Sequence, residues 1–249
     1  MIEDLLPHGS LNSDTPLAII NAIYFEGYWK FIEFSDFFYD YPFRSSHGHH
    51  KKVTMCSSNL LVAFYQDENL QIVKLILESH DTLNVGVYFV LPRVAQGPIL
   101  NDTLSGLDIE GPLNIVSQME DEDLSYVTIP EFEIKYDVDL VNYLRLIGVD
   151  YIFDSAKSDF SKLLDTADSK LSVAKWHHKA AIRVTKEGVR AAAADASLLV
   201  NHSAQSDSEI VFFADHPFLF YVSIQRRGEN RVSSKEEILF SGQFTGFDD

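Results

Sequence analysis

The sequence predicts a sheet-dominated α+β domain, and three observations carry that expectation. Apolar residues come in strand-sized runs, helical spacing is confined to short stretches, and neither a Pro/Gly/Ser linker nor a repeat of about 20 to 50 residues divides the chain. A length of 249 residues, 46% hydrophobic and 12% aromatic, allows one large domain or two small ones. With no linker, the reading is a single domain over residues 1–249.

The elements follow in order. Leu17 to Phe25 (LAIINAIYF) is a long apolar run, the pattern of a strand buried on both faces. Leu70 to Leu77 and Leu83 to Leu91, the second closed by Pro92, read as neighbouring antiparallel strands. Ser125 to Ile134 alternates around Pro130, which predicts a strand with an irregularity where proline removes a ladder donor. Leu140, Leu144 and Ile147 stand at helical spacing, and Gly148 supplies a C-cap. Asp159 to Leu164 reads as a short turn of helix. Ile182 and Val184 alternate with charged residues, and Ile210 to Phe213, Phe218 to Ile224 and Ile238 to Phe240 complete a strand-rich carboxyl end.

One stretch breaks the pattern. Residues 186–209 (KEGVRAAAADASLLVNHSAQSDSE) are small and polar and exceed the roughly 12 to 15 residues of an ordinary connection. On composition alone this is a functional loop, a surface loop without regular structure, or a short helix nucleated by Ala191 to Ala194, alanine being the best helix former.

Composition and motifs exclude several function classes. Twenty Lys and Arg against 37 Asp and Glu give a formal net charge of −17, which repels phosphate backbones and anionic lipid, so no nucleic acid and no membrane is expected as partner. No run reaches the roughly 18 to 20 apolar residues of a membrane span. Met1 to Leu6 is acidic and does not read as a secretory signal. The single cysteine, Cys56, excludes a disulfide framework and reads as a small packed side chain. The G-x-S-x-G, G-x-x-x-x-G-K-[ST] and G-x-G-x-x-G patterns are absent. His47, His49 and His50 in SSHGHHKK lack the spacing and fourth ligand of a zinc site and read as a solvated turn; His177 and His178 read as structural. Asn101-Asp102-Thr103 and Asn201-His202-Ser203 are glycosylation patterns that matter only on the secretory route. Nothing assembles an active site, so the expectation is no enzyme, no cofactor and no metal.

Seven segments in order resemble the serpin family of serine protease inhibitors. Thr15 to Trp29, with NAIYFEGYW, resembles its "NAIYFKGxW" strand, and Leu91-Pro92 its "LP" strand end. Asp150 to Ser161, with Phe153, Asp159 and Ser161, is similar to its "lF…aDlSgi" element, and His178 to Ile182 to "HKAxIxV". Glu187 to Ala194 resembles the hinge "EEGTEAAAAT", Asp215 to Phe220 the "DHPFlF" motif, and Ile238 to Gly242 "iLFxG".

The resemblance implies mixed serpin-type sheets with an exposed reactive-centre loop over 186–209. It also implies an amino-terminally truncated, partial serpin domain, because the family places most of its helices and two strands of the large sheet ahead of the segment like Asp4 to Trp29. The implied function is suicide inhibition: a serine, or alternatively cysteine, protease cuts the loop, which then inserts as a new strand into the large sheet. The strands flanking the insert would lie near Leu17 to Phe25 and near Ala180 to Lys186.

The implied hinge is Glu187, Gly188, Val189, Arg190, Ala191, Ala192, Ala193 and Ala194. If Val189 points inward, alternation sends Ala191, Ala193, Asp195 and Ser197 inward and Arg190 outward. Asp195 departs from the family's small hydroxyl or apolar residue, and burying an unpaired carboxylate is costly. Family spacing puts the scissile bond at His202-Ser203, while Leu198, Leu199 and Val200 would suit a chymotrypsin-like or elastase-like pocket in a shifted register. The alternative is a non-inhibitory fragment that binds, is inactive, or self-associates through the open sheet edge beside Leu17 to Phe25. The family has secreted and intracellular members, and extracellular space is the expected compartment.

Overall fold

The computed structural model of the chain describes residues 6, 9, 11–12, 15–30, 37–79, 82–94, 123–163, 171–189, 210–226 and 236–246. In chain order the elements are β1 (Leu17–Phe25), β2 (Gly27–Tyr28), β3 (Phe37–Arg44), β4 (His50–Gln66), β5 (Leu70–Leu77), β6 (Leu83–Pro92), β7 (Asp123–Pro130), β8 (Phe132–Asp139), helix α1 (Val141–Leu146), a 3-10 turn (Tyr151–Phe153), β9 (Val173–Val184), β10 (Gly188–Val189), β11 (Ile210–Phe213), β12 (Phe218–Arg226) and β13 (Glu237–Phe244). They fall into two compact units, Met1–Phe25 with Glu133–Ile182, and Glu26–Phe132 with Arg183–Asp249.

The first unit is built on a three-stranded sheet in the order β1-β9-β8. β1 and β9 run parallel, in register from Ala18↔Lys175 to Phe25↔Ile182. β1 is not buried on both faces as its apolar run predicts: Ile20 is 41% and Ile23 36% exposed. The run records hydrophobicity and not what covers it, and among the described residues β1 has a neighbour on one side only. Helix α1 forms where the Leu140/Leu144/Ile147 spacing predicts, opened by an Asp139 Oδ1 that accepts from the Val141 N–H at 3.1 Å. Gly148, at φ +88°, ends it by donating to the Arg145 carbonyl. None of its residues is buried, so the helical stripe marks a helix and not a core contact. Of the stretch Asp159 to Leu164, the described residues 159–163 form no helix. The Asp159 carboxylate accepts from the Ser161 N–H at 2.9 Å and holds a turn instead.

The second unit holds an eight-stranded sheet along the path β11-β7-β4-β5-β6-β12-β13, with β3 paired to β4. β5 and β6 are antiparallel neighbours, from Leu70↔Pro92 to Leu77↔Val85, as the sequence predicts. β12 lies between β6 and β13. The run around Pro130 resolves into two strands in different sheets, β7 and β8, parted at Glu131, whose N–H turns to the Thr54 carbonyl at 2.9 Å. Phe132, Phe218 and Phe244 pack together in the core, with ring centroids 4.8 to 5.7 Å apart. On another part of this sheet, Glu236 gathers Ser223 Oγ (2.5 Å), Tyr88 OH (2.7 Å) and Lys74 Nζ (3.2 Å).

Candidate functional site: the hinge and the paired strands before it

The segment expected to be the hinge begins as a reversal of the chain. Thr185 and Gly188 exchange backbone hydrogen bonds, Thr185 N–H to the Gly188 carbonyl at 2.7 Å and Gly188 N–H to the Thr185 carbonyl at 3.1 Å, so Lys186 and Glu187 are the two residues of a tight turn. Thr185 Oγ1 donates toward Glu187 Oε2 at 3.0 Å. The Lys186 N–H is satisfied by Glu131 Oε1 at 3.0 Å. β10 then pairs antiparallel with β2, Gly188 opposite Tyr28 and Val189 opposite Gly27.

Trp29 locks this turn from the other side. Its backbone N–H donates to the Glu187 carbonyl at 3.1 Å, and its indole Nε1–H to the Thr185 carbonyl at 3.0 Å. The ring is 4% exposed, so the bond is sheltered from water. Gly188 has φ +144°, and a Cβ there would sit 2.3 Å from the Gly27 carbonyl oxygen and 2.6 Å from the Tyr28 Cα. Only glycine allows so close an approach. Val189 is fully buried.

Beneath the turn, the Cys56 thiol is buried and pushed far up, first by that burial and then by the Glu131 and Glu187 carboxylates, against a smaller opposing effect of Lys186. It is a packed side chain and not a thiolate nucleophile. Among the described residues no three His, Cys, Asp or Glu side chains gather as a metal site. His47, His49 and His50 lie exposed at the tip joining β3 and β4.

Within the first unit, β1 and β9 are joined by side chains as well as backbone. Asn21 and His178 are register partners on β1 and β9, and Asn21 Nδ2 lies 3.2 Å from His178 Nδ1. His177, next along β9, is buried with neither ring nitrogen partnered.

Of the hinge residues expected from the sequence, the structure describes Glu187, Gly188 and Val189 and brings them together with Trp29. Arg190, Ala191 to Ala194, Asp195, Leu198, Leu199, Val200, His202 and Ser203 lie outside the described residues, as does Asn101. Sequence reasoning missed Asn21, Thr185 and Glu131. Asn21 left a signal, as the one polar residue in LAIINAIYF.

The first unit thus holds a parallel strand pair, and the second a tight turn closed at Gly188. The serpin (serine protease inhibitor) family matches residues 1–245, and the chain belongs to that family. It is 30% identical over 254 residues to macrophage plasminogen activator inhibitor 2 of Mus musculus, covering 98% of this chain and 56% of the relative. It is 29% identical over 248 residues to serpin B9 of Homo sapiens, covering 98% of this chain and 61% of that protein. The fold is also that of Serpin48 from the insect Tenebrio molitor, with TM-score 0.72 at 24% identity, over 99% of this chain and 60% of that one. The chain thus spans little more than half the length of the relatives it matches. Members of this family are in general protease inhibitors rather than enzymes.

Proposed function

We propose that the chain is the loop-bearing part of a suicide inhibitor of a serine, or alternatively cysteine, protease. The observation that carries this reading is the direct parallel pairing of β1 with β9, followed within a few residues by the glycine turn at Gly188. A strand joining this sheet between β1 and β9 would pair its N–H and C=O groups on both sides and remove apolar area from water. The stretch that would insert starts in the hinge, Glu187 to Ala194, whose alanines suit a crowded site between strands. The bond proposed for cleavage is His202-Ser203, with Leu198, Leu199 and Val200 as the alternative specificity residues. The compartment carried with this reading is extracellular space, which fractionation of expressing cells and their medium would test.

The experiment is to mix the chain with trypsin-like, chymotrypsin-like and elastase-like proteases and read the products on a denaturing gel and by mass spectrometry. A denaturant-stable covalent complex, with a released peptide that places the cut in 186–209, is the expected result. Cleavage in the loop without a complex would make the protein a substrate.

A second reading is a non-inhibitory protein that self-associates, favoured by β1. Its outer edge is unpaired among the described residues and presents Ile20 and Ile23 half-exposed. Sedimentation at rising concentration separates the readings, since a chain that remains monomeric rules this one out.

A further inference from the structure

Helix α1, in the first unit, carries large apolar side chains that face solvent, and the inhibitory reading uses none of them. Tyr143, Leu146 and Ile147 stand at i, i+3 and i+4 and so share one side of the helix, and Tyr151 follows in the 3-10 turn. These four residues are between 59% and 84% exposed. Leu140, Val141 and Leu144, on the adjoining edge of the helix, are half-buried. The apolar arc of α1 therefore extends beyond the stripe that its own unit covers, where a surface helix would ordinarily turn polar.

The helix and the turn after it form one frame. At the helix end the Gly148 N–H donates to the Arg145 carbonyl at 3.0 Å and the Val149 N–H to the Leu144 carbonyl at 2.9 Å. The buried Phe153 ring has the Arg145 guanidinium 5.4 Å from its centroid, which ties the 3-10 turn back to the helix. From Asp139 to Asp159 the sequence holds four aspartates, Asp139, Asp150, Asp154 and Asp159, against two cations. Both cations are engaged, Arg145 over Phe153 and Lys157 with Asp154 at 3.1 Å. Asp150 stands exposed beside Tyr151. The rim of the apolar side is acidic.

We propose that this side of α1 and the turn after it dock a short basic amphipathic segment of another polypeptide, one that sets two or three apolar side chains among Lys or Arg residues. Exposed tyrosines are side chains of the kind that carry binding energy between proteins. An acidic rim around them attracts a basic partner and repels anionic lipid and nucleic acid. Taking large side chains at roughly 150 to 250 Å² each, the exposed apolar area is on the order of 500 Å², the size of a peptide contact. A second copy pressed on the same face would bury about 1,000 Å² in all, short of the roughly 1,200 to 2,000 Å² of a stable interface. It would also bring together like charges, in a chain of net charge −17.

The test uses the full chain and the fluorescence anisotropy of a labelled helical Leu/Lys peptide of about 14 residues, at 50 and 200 mM salt. The expected result is binding that weakens with salt. Leu146→Gln combined with Tyr151→Ser is expected to lose about tenfold or more in affinity, and Asp150→Asn to flatten the salt dependence. Leu61→Gln changes an exposed leucine of the other unit and keeps wild-type affinity. Circular dichroism melts check that the variants fold. Hydrogen exchange on the unaltered chain locates the peptide without any variant, with slowed amides expected in residues 141–152 and none in β1. No binding at 50 mM salt would overturn the proposal, as would undiminished binding by the double variant, equal loss in Leu61→Gln, or slowing placed on β1 instead. Equal binding of a Leu/Glu peptide would overturn the basic-partner assignment. Uptake of phosphatidylcholine vesicles through Leu146 and Tyr151 would make the face a lipid contact, and a dimer dissolved by Leu146→Gln would make it a contact between copies; either overturns the proposal.

Discussion

The side-chain amide of Asn21 on β1 meets the imidazole of His178 directly across on β9, at 3.2 Å. In the proposed mechanism these two strands must part, and the Asn21–His178 bond then breaks together with the backbone ladder. Removing it weakens the closed sheet and lowers the barrier to opening. Asn21→Ala and His178→Ala are each expected to cost about 0.5 to 1 kcal/mol of stability, the low end for a hydrogen bond because the pair is exposed. In a double-mutant cycle the two losses are expected to overlap, which urea unfolding measures. Losses that simply add would show that the two side chains do not interact.

Gly188 is the position at which backbone conformation and packing both demand glycine. Its φ of +144° and the 2.3 Å approach to the Gly27 oxygen leave a methyl group no room. Gly188→Ala is expected to cost about 2 kcal/mol or more and to loosen the bond from the Trp29 indole to Thr185. Equilibrium unfolding gives the cost, and a red shift of the tryptophan emission reports exposure of Trp29. A variant as stable as the parent, with unshifted emission, would mean that the turn relaxes freely.

How much of this was legible before any coordinates depends on what each residue had for neighbours. β5, β6, β12 and β13 could be read because each is a short apolar run paired along its length with strands of the same kind. β4 escaped notice, although at 17 residues it is the longest strand. It pairs with β3 over residues 50–57, with β7 over 55–62 and with β5 over 63–66, so no single alternation runs through it. Its buried polar Ser57 is tolerated only because Thr128 Oγ1 lies 2.8 Å away on β7, a partner far off in sequence. The turn at Gly188 was legible through its glycine, while the alanines expected after it lie outside the described residues. The Trp29, Thr185 and Glu131 contacts that fix it join residues more than fifty positions apart, which no local pattern encodes.

Glu236 gives the second unit a pH-dependent stabilisation. Burial pushes its carboxyl up, but the Ser223 hydroxyl, the Lys74 ammonium and the Tyr88 hydroxyl together outweigh burial and hold it below its ordinary value of 4.5. A carboxyl depressed in the folded state contributes stability that is present above its unfolded pKa and is lost as pH falls through the folded one. Glu236→Gln is therefore expected to cost about 2 kcal/mol near pH 7, and the gap between the two proteins to close on acidification below pH 4.5. Denaturant melts of both proteins at pH 7, 5 and 3.5 check this. A gap that is constant across those values would assign the loss to packing and not to charge.

Asp195 sets how far the inhibitory reading can go. If the loop inserts with Val189 inward, alternation carries Asp195 to the inner face as well, where an unpaired carboxylate costs on the order of several kcal/mol. That penalty opposes insertion after the acyl bond has formed, which gives the protease time to hydrolyse the acyl link and leave. Asp195→Thr restores a small hydroxyl residue of the kind the family carries at this point. It is expected to raise the fraction of protease trapped as a covalent complex by tenfold or more, since each 1.4 kcal/mol of relieved penalty is about a factor of ten in partition. The measurement is the ratio of complex to cleaved chain on a denaturing gel, for parent and variant with the same protease. An unchanged ratio would show that Asp195 is not on the buried face, and the inward register that begins at Val189 would have to be abandoned.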